Sequence, residues 1–225
     1  YVNSTFYFAM GEDEQALAHR IIDKVGFAQL GTDAEGHVTG LSLTYRGGVY
    51  KDVPEWLGEH VVEIDNNKGG PQLSDEDIDL LFQLPHLKFL KLEGQLITDE
   101  GYLRFADMKR LEYLGLHKID REEVQAYGRV SSDSIRVFNE LPNLRRFDYK
   151  HNFRIDSAPV EELRGSDKLE YLMLDNALSY PGVIPFVKAC PNLKVLQFHR
   201  TYIRPEDLRE VVSTNRRVEE FPLRP

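Results

Sequence analysis

The chain has 225 residues, a formal net charge of −9 and a pI near 5.3. An acidic chain is repelled by phosphate backbones, so its composition argues against nucleic acid as the partner. No apolar run reaches the roughly 18 residues that a membrane-spanning helix needs, and the single cysteine, Cys190, excludes an intrachain disulfide.

The first part of the chain predicts a cap for a repeat domain. Residues 1–10 are rich in aromatic residues and form either an edge strand or an arm that docks on a neighbour. Residues 12–25 open with acidic residues and carry apolar residues at helical spacing, so they predict a helix. Two apolar segments around the polar turn 32–36 then predict a β-hairpin. We therefore assign residues 1–36 to an N-terminal arm with a capping helix and hairpin.

From residue 37 onward one short pattern recurs. Apolar residues occupy the first, fourth and sixth places of a six-residue strand core, and successive cores start 23 to 33 residues apart. A period in the twenties with this spacing is typical of a leucine-rich repeat solenoid. The strong copies begin at Leu87, Leu111, Leu144, Leu169 and Leu193, and the weaker copies begin at Val38, Val61 and Val218.

Helix signals lie between the strand cores. Ser74 and Thr98 each precede acidic residues and an apolar run, as N-cap residues do, and Pro205 suits a first helical position. A proline just before the next core stops three of the helices, at Pro85, Pro142 and Pro191. Most repeats are therefore predicted to contain a strand, a loop and a helix, although residues 45–59 show little helical pattern and the last unit ends after its strand. The repeat that begins at Leu111 is longer than the others, and its extra residues, Lys118–Ser131, predict a loop on one rim.

Two segments carry a resemblance to a known family. Residues 87–103 and Asn192–Phe198 resemble the leucine-rich repeat superfamily, and Ile97–Gly101 is similar to bacterial proteins of its ribonuclease-inhibitor-like branch. The resemblance implies a right-handed α/β solenoid over residues 37–225, with a parallel concave sheet, convex helices and about seven to eight repeats. Members of the family are overwhelmingly protein-binding scaffolds. The asparagine that usually follows the strand core is absent from most repeats, so other groups must satisfy that turn.

The third, fifth and seventh places of each repeat face the concave side, because alternate residues of a strand point in opposite directions. At these places, aromatic side chains form a row across the strands, with basic groups beside it. Aromatic and arginine side chains often anchor interfaces, although stacked aromatics can also simply pack along a sheet. The predicted partner-binding residues are Phe89, Lys91, Tyr113, His117, Arg146, Lys150, Tyr171, Met173, His199 and Arg200.

Neither a metal site nor a catalytic site is predicted. His117 and His151 come from adjacent repeats, but His199 lies two repeats further on, at about 10 Å for strands spaced about 4.8 Å apart. The chain contains neither a Walker-type phosphate loop nor a G-x-S-x-G nucleophile elbow. We therefore expect no enzyme activity, no metal and no cofactor.

The leading prediction is a non-catalytic module that recognises a protein or peptide on its concave face, assisted by the Lys118–Ser131 loop. The alternative is a structural subunit of a larger assembly, self-associated through the N-terminal arm or the C-terminal turn at residues 218–225. Light scattering after size exclusion would distinguish a monomer from such an assembly. The start at Tyr1 suggests processing or trimming. The cysteine usage leaves the compartment open, with an exported or cell-surface protein favoured slightly over a cytoplasmic one.

Overall fold

The computed structural model divides the chain into two compact units, Tyr1–Ile97 and Thr98–Pro225. Each unit is α/β, with an open sheet and short helices. Some strand and helix positions are described by their backbone only. The structure describes residues 27–44, 59–65, 72–118, 133–155, 157–177, 183–199, 205–213 and 217–221, together with Glu14, Leu17, Arg20, Ile21, Lys24 and Val25.

The first unit begins as predicted, with helical residues and then an antiparallel hairpin. Leu17 and Ile21 are helical and buried, in agreement with the predicted capping helix. The hairpin closes through Gly36, whose φ of 87° lies in the left-handed region that glycine adopts without strain. The elements of this unit are β1 (Phe27–Thr32), β2 (Val38–Thr44), β3 (His60–Asp65), a 3-10 turn (Asp75–Asp77), α1 (Ile78–Phe82) and β4 (Phe89–Glu93).

The position of β3 differs from the prediction. The weak copy at Val61 was expected to form a parallel repeat between β2 and β4. Instead β3 pairs antiparallel with β1, and β2 pairs directly with β4 in parallel, which gives the order β3-β1-β2-β4. The prediction was wrong because alternating apolar residues specify a strand and a buried face but do not specify its neighbour or its direction.

The second unit alternates strands and helices as the repeat pattern predicts. Its strands lie in the order β5-β6-β7-β8-β9, and β5 to β9 are paired in parallel, each with the next. The elements are α2 (Asp99–Leu103) continued by a 3-10 turn (Arg104–Asp107), β5 (Tyr113–Lys118), a 3-10 helix (Asp133–Glu140), β6 (Arg146–Ile155), α3 (Ser157–Glu161), β7 (Tyr171–Ala177), α4 (Val183–Lys188), β8 (Val195–His199), α5 (Pro205–Val212) and β9 (Arg217–Phe221).

Residues at the same place of neighbouring repeats pair with one another in this unit. The fourth places form one row across four strands: Leu114, Phe147, Leu172 and Leu196, all fully buried. The register of β9 departs from the prediction, because Leu196 pairs with Val218 rather than with Phe221. Val218 and Phe221 are both apolar and three residues apart, so the pattern alone fits either register.

The predicted helix starts are confirmed where the structure describes them. The hydroxyl of Thr98 accepts a hydrogen bond from the Gly101 backbone N–H at 3.2 Å, and Pro205 is the first residue of α5. The backbone N–H of Ser74 donates to the Asp77 carboxylate at 3.0 Å. None of the helices in the described part of the chain is both long and apolar enough to cross a bilayer.

Asparagines before the strand cores tie consecutive repeats together. The Asn143 side chain donates to the Lys109 carbonyl at 2.8 Å, and the Asn192 side chain donates to the Asp167 carbonyl at 2.6 Å. Each asparagine immediately precedes a first-place leucine, and each acceptor lies in the corresponding turn of the preceding repeat. These side chains therefore stabilise the entry to the strand, a role that the sequence analysis did not predict.

The turn before β7 packs tightly against the end of α4. Cys190 is fully buried, and its sulfur accepts a hydrogen bond from the Ser166 backbone N–H at 3.4 Å. Gly165 lies so close to Ala189 that a side-chain Cβ would overlap the alanine's backbone and methyl group. A residue without a side chain is therefore required at position 165.

Candidate functional site

The predicted row of third places is confirmed within the second unit. Tyr113 pairs with Arg146, and Arg146 pairs in turn with Tyr171. Val195 follows Tyr171 on β8. We call the side of the sheet that carries the third, fifth and seventh places the 3-5-7 face. Arg146 thus lies between two tyrosines in the middle of this face.

The arginine contacts both aromatic rings. Its guanidinium carbon is 3.8 Å from the centroid of the Tyr171 ring and 5.1 Å from that of the Tyr113 ring. Both distances lie within the roughly 6 Å range of a cation–π interaction. The shorter one places the guanidinium directly over Tyr171, so this ring supports the cation.

A buried aspartate fixes the arginine. Asp148 accepts hydrogen bonds from Arg146 Nε at 3.2 Å and from Arg146 Nη2 at 3.0 Å, and its Oδ2 also accepts one from the Tyr113 hydroxyl at 2.7 Å. Charge-assisted bonds of this kind are stronger than neutral ones. We call Tyr113, Arg146, Asp148 and Tyr171 the Arg146 cluster.

Asp148 was not among the predicted site residues. The sequence analysis assigned it no role, and only its position on the 3-5-7 face was evident. Arg146 and Asp148 are two residues apart on one strand, so their side chains lie on the same side of the sheet. That spacing is the signal in the sequence that identifies the pair.

Tyr113 and Arg146 both stay protonated near neutral pH. Burial raises the pKa of the Tyr113 phenol well above its ordinary 10.0, and the neighbouring Asp148 carboxylate raises it further. Burial lowers the pKa of Arg146, but the charge and hydrogen bonds of Asp148 outweigh this, and the pKa is raised above its ordinary value. Tyr113 therefore remains a donor and Arg146 remains a cation, which suits a fixed shape rather than proton transfer.

At the third places, the side chain on β5 is buried and those on β6 to β8 are partly exposed. The side chain of Tyr113 is fully buried, that of Arg146 is 13% exposed, and Tyr171 and Val195 are partly exposed. At the seventh places, Lys150 is 40% exposed and lies 3.9 Å from the buried carboxylate of Asp175. We call the partly exposed residues of this face in the second unit the accessible strip: Arg146, Lys150, Tyr171, Val195 and Gln197.

Half of the predicted site residues are buried instead. Side chains with so little exposed area offer almost no surface for direct contact with a partner. They are Phe89, Lys91, Tyr113, His117 and Met173, with exposures of 1%, 3%, 0%, 5% and 9%.

The remaining predicted positions are partly or wholly outside the described residues. The backbone of His199 pairs with Asp175, but its side chain is not described, and Arg200 is not described. The same holds for the N-terminal arm, for residues 119–131 of the predicted rim loop and for residues 222–225. Their predicted roles remain predictions.

A row of alternating charges crosses the second places of the same repeats. Arg145 lies 3.8 Å from Glu112 and 2.6 Å from Glu170, and Lys194 lies 2.6 Å from Glu170. Hydrogen bonds from Lys194 and then from Arg145 lower the pKa of Glu170 below its ordinary 4.5. We call these four residues the second-place ladder. The alternation of sign at one place of the repeat is visible in the sequence, yet the sequence analysis did not use it.

The accessible strip is of mixed chemical character. It combines a fixed arginine with an aromatic ring, and its two charges are each paired with an aspartate, so it presents shape and hydrogen bonds rather than strong net charge. Neither a model of a known protein family nor the sequence of a curated protein matches this chain.

Proposed function

We propose that this protein is a non-catalytic recognition module that binds a protein or peptide partner on the accessible strip. One observation carries the proposal: Asp148 holds the partly exposed Arg146 side chain over the Tyr171 ring. An anchor that is already fixed loses little conformational entropy on binding, so more of its contact energy appears as affinity.

The assignment of the fold to a family is part of the same proposal. We infer that the repeats are leucine-rich repeats of the ribonuclease-inhibitor-like kind, in a right-handed solenoid with helices on the convex side. The support is the parallel pairing of β5 to β9, in which equivalent places pair across β5 to β8, and the helix between successive strands. The equivalent asparagines Asn143 and Asn192 add to it, because each bonds the preceding repeat at the same place. Repeats of this type commonly present an extended binding surface.

Arg146 can contact a partner without giving up its support. Its bonds to Asp148 use Nε and Nη2, and Nη1 makes no hydrogen bond to any residue in the described ranges. A carbonyl or carboxylate of a partner can therefore accept from Nη1 while an apolar side chain packs on the Tyr171 ring. Arginine and tyrosine are the residue types that most often dominate binding energy in this way.

The protonation of the cluster supports a non-catalytic role. A tyrosine acts as a general base or nucleophile only as the phenolate, and the raised pKa of Tyr113 keeps it protonated. The arginine charge is already neutralised by Asp148, which weakens it as an electrostatic stabiliser of a developing anion.

A displayed library of random peptides selected against the whole chain tests the proposal. We expect the selected peptides to bind Tyr171→Ala about 30-fold more weakly, which corresponds to about 2 kcal/mol for an anchor residue. Lys188→Ala, an exposed position on α4, is the matched control and should bind with unchanged affinity. Equal affinity for Tyr171→Ala, with a folded circular dichroism spectrum, would remove the accessible strip as the binding site.

A further inference from the structure

The charged side chains of the 3-5-7 face are sorted by sign between its surface and its interior. Across the described third, fifth and seventh places of β5 to β8, the lysine and arginine side chains are Arg146, 13% exposed, and Lys150, 40% exposed. The carboxylates at the same places, Asp148 and Asp175, are each only 1% exposed. A partner that touches this face therefore meets the cations and not the acids.

This arrangement is opposite to the charge of the whole chain. The sequence has 37 acidic and 28 basic residues, so an average surface of the protein should expose more carboxylates than cations. The accessible strip has no strong net charge, because its aspartates lie beneath the cations. The charged groups that it exposes are nevertheless hydrogen-bond donors, and donors of this kind are complementary to carboxylates.

Lys150 is the more accessible of the two cations. Its Nζ lies 3.9 Å from Oδ2 of Asp175, which is too far for a hydrogen bond, and Lys150 makes no hydrogen bond to any other residue in the part of the chain that the structure describes. An ammonium group carries three donors, and those of Lys150 can all be given to a partner. Arg146 offers Nη1 in the same way.

The two cations have a defined spacing on the sheet. They are four residues apart on β6 and lie on the same side of it, which corresponds to roughly 13 Å at about 3.3 Å per residue. An extended segment laid along β6 has the same rise, so two of its residues about four positions apart can reach both cations. Tyr171 and Val195, on the next two strands beside Arg146, offer apolar area to the same segment.

We propose that the accessible strip binds an acidic extended segment of a partner protein, a partner chemistry that rests on the recognition function proposed above. Two carboxylates about four residues apart accept hydrogen bonds from Nη1 of Arg146 and from Nζ of Lys150. The net charge of −9 disfavours a long polyanion such as nucleic acid, whose outlying phosphates would be repelled. A short segment places its negative charge only where the cations lie.

The displayed random library, selected against the whole chain, tests the sequence requirement. Selected peptides whose affinity falls for Tyr171→Ala should carry two acidic residues about four positions apart more often than the unselected library does. If these peptides show no such enrichment, the acidic segment is excluded while the recognition function stands. If no selected peptide depends on Tyr171, the recognition function itself fails.

A double-mutant cycle tests the contact with Lys150 directly. Fluorescence anisotropy gives the Kd of one selected peptide and of two variants in which one acidic residue or the other is replaced by its amide. With the unchanged chain at about 0.1 M sodium chloride, the replacement opposite Lys150 should weaken binding about three- to fivefold. With Lys150→Gln the same replacement should have little effect, because the cation that it contacted is gone.

Lys188→Gln is the matched control, since it removes the same charge from an exposed lysine on α4, away from the 3-5-7 face. With this variant the peptide replacement should weaken binding as much as it does with the unchanged chain, and the loss should shrink at about 1 M sodium chloride. Equal losses with the unchanged chain and with folded Lys150→Gln would overturn the contact. The peptide variants leave the protein intact, so the absence of any loss with the unchanged chain would overturn it as well.

Discussion

Asp148 accepts from one buried and one largely buried donor at once, and this makes it the residue on which the Arg146 cluster depends. Arg146 and the Tyr113 hydroxyl both lose water on folding, and Asp148 accepts from each. A buried polar group that loses its partner bears the full cost of desolvation, and a buried charge bears more. Loss of the Asp148 carboxylate should therefore cost more free energy of unfolding through Arg146 than through the Tyr113 hydroxyl.

Asp148→Asn should destabilise the protein by about 3–5 kcal/mol, because it leaves the Arg146 charge without its counterion. Tyr113→Phe should cost only about 1–3 kcal/mol, since it removes one hydrogen bond and leaves the ion pair intact. Urea unfolding of both variants measures the difference. If Tyr113→Phe proves as costly as Asp148→Asn, the ion pair is not the main contribution of Asp148.

Gly165→Ala should cost about 1–3 kcal/mol, because the added methyl group overlaps the backbone of Ala189 and forces the turn away from α4. Thermal or urea unfolding measures the loss. Arg164→Ala, the exposed neighbour, serves as the control and should change the free energy of unfolding by less than about 0.5 kcal/mol. A neutral Gly165→Ala would mean that this turn can relax.

At the scale of the elements, neighbouring strands are joined by more than their backbone bonds. The second-place ladder links β5 to β8 through side chains just before each strand, and the alternation of sign makes every neighbour an attractive partner. Single exposed ion pairs contribute little, about 0.2–1 kcal/mol each. Their combined effect is to favour one register, because a shifted strand would meet the wrong charge.

Glu170→Lys should therefore destabilise the second unit by about 0.5–2 kcal/mol at low salt, since it turns two attractions into repulsions. The loss should shrink at about 1 M sodium chloride, where screening acts over a few ångströms. Asp107→Lys changes the net charge equally at an exposed position and provides the control. A salt-independent loss would point to packing rather than charge.

The same glutamate predicts a dependence on pH. Because its pKa is lowered in the folded state, Glu170 binds protons less readily there than in the unfolded chain. Its contribution is therefore present above the ordinary pKa of 4.5 and is lost as the pH falls through the lower folded value. The stability difference between the unchanged chain and Glu170→Gln should narrow below about pH 4.5 in urea unfolding series. A difference that is constant from neutral to acid pH would contradict the role of the ionised carboxylate.

The sequence predicts those features of the fold that depend only on the spacing of residues within one repeat. The row of Leu114, Phe147 and Leu172 follows from the apolar spacing, because equivalent places in stacked repeats must pair. The direction of β3 and the register of β9 do not follow, since several pairings satisfy the same apolar pattern. Phe89 and Tyr113 are buried, although the apolar spacing within a strand predicts exposure of its alternate residues and does not encode tertiary packing.

At the scale of the molecule, the proposed repeat architecture implies that stability is shared between neighbouring repeats rather than through one central core. The strands β5 to β9 pair stepwise, each with the next. Damage to one row should therefore spread outward and weaken with distance along the array.

Leu114→Ala, at a fully buried fourth place on β5, should cost about 2–5 kcal/mol. Hydrogen exchange measured by mass spectrometry should show the largest gain in β5 and β6 and a smaller gain in β8. Leu103→Ala, a partly exposed leucine, is the control and should leave this profile nearly unchanged. A uniform gain across all strands would indicate that the unit unfolds as a single cooperative block.

The second-place ladder also restricts how a chain of this kind can change length. Deleting one repeat would set Glu112 beside Glu170, or Arg145 beside Lys194, and so place like charges side by side. Deleting two adjacent repeats would set Glu112 beside Lys194 and restore opposite signs. The electrostatic cost of gaining or losing repeats is therefore lowest when their number is even.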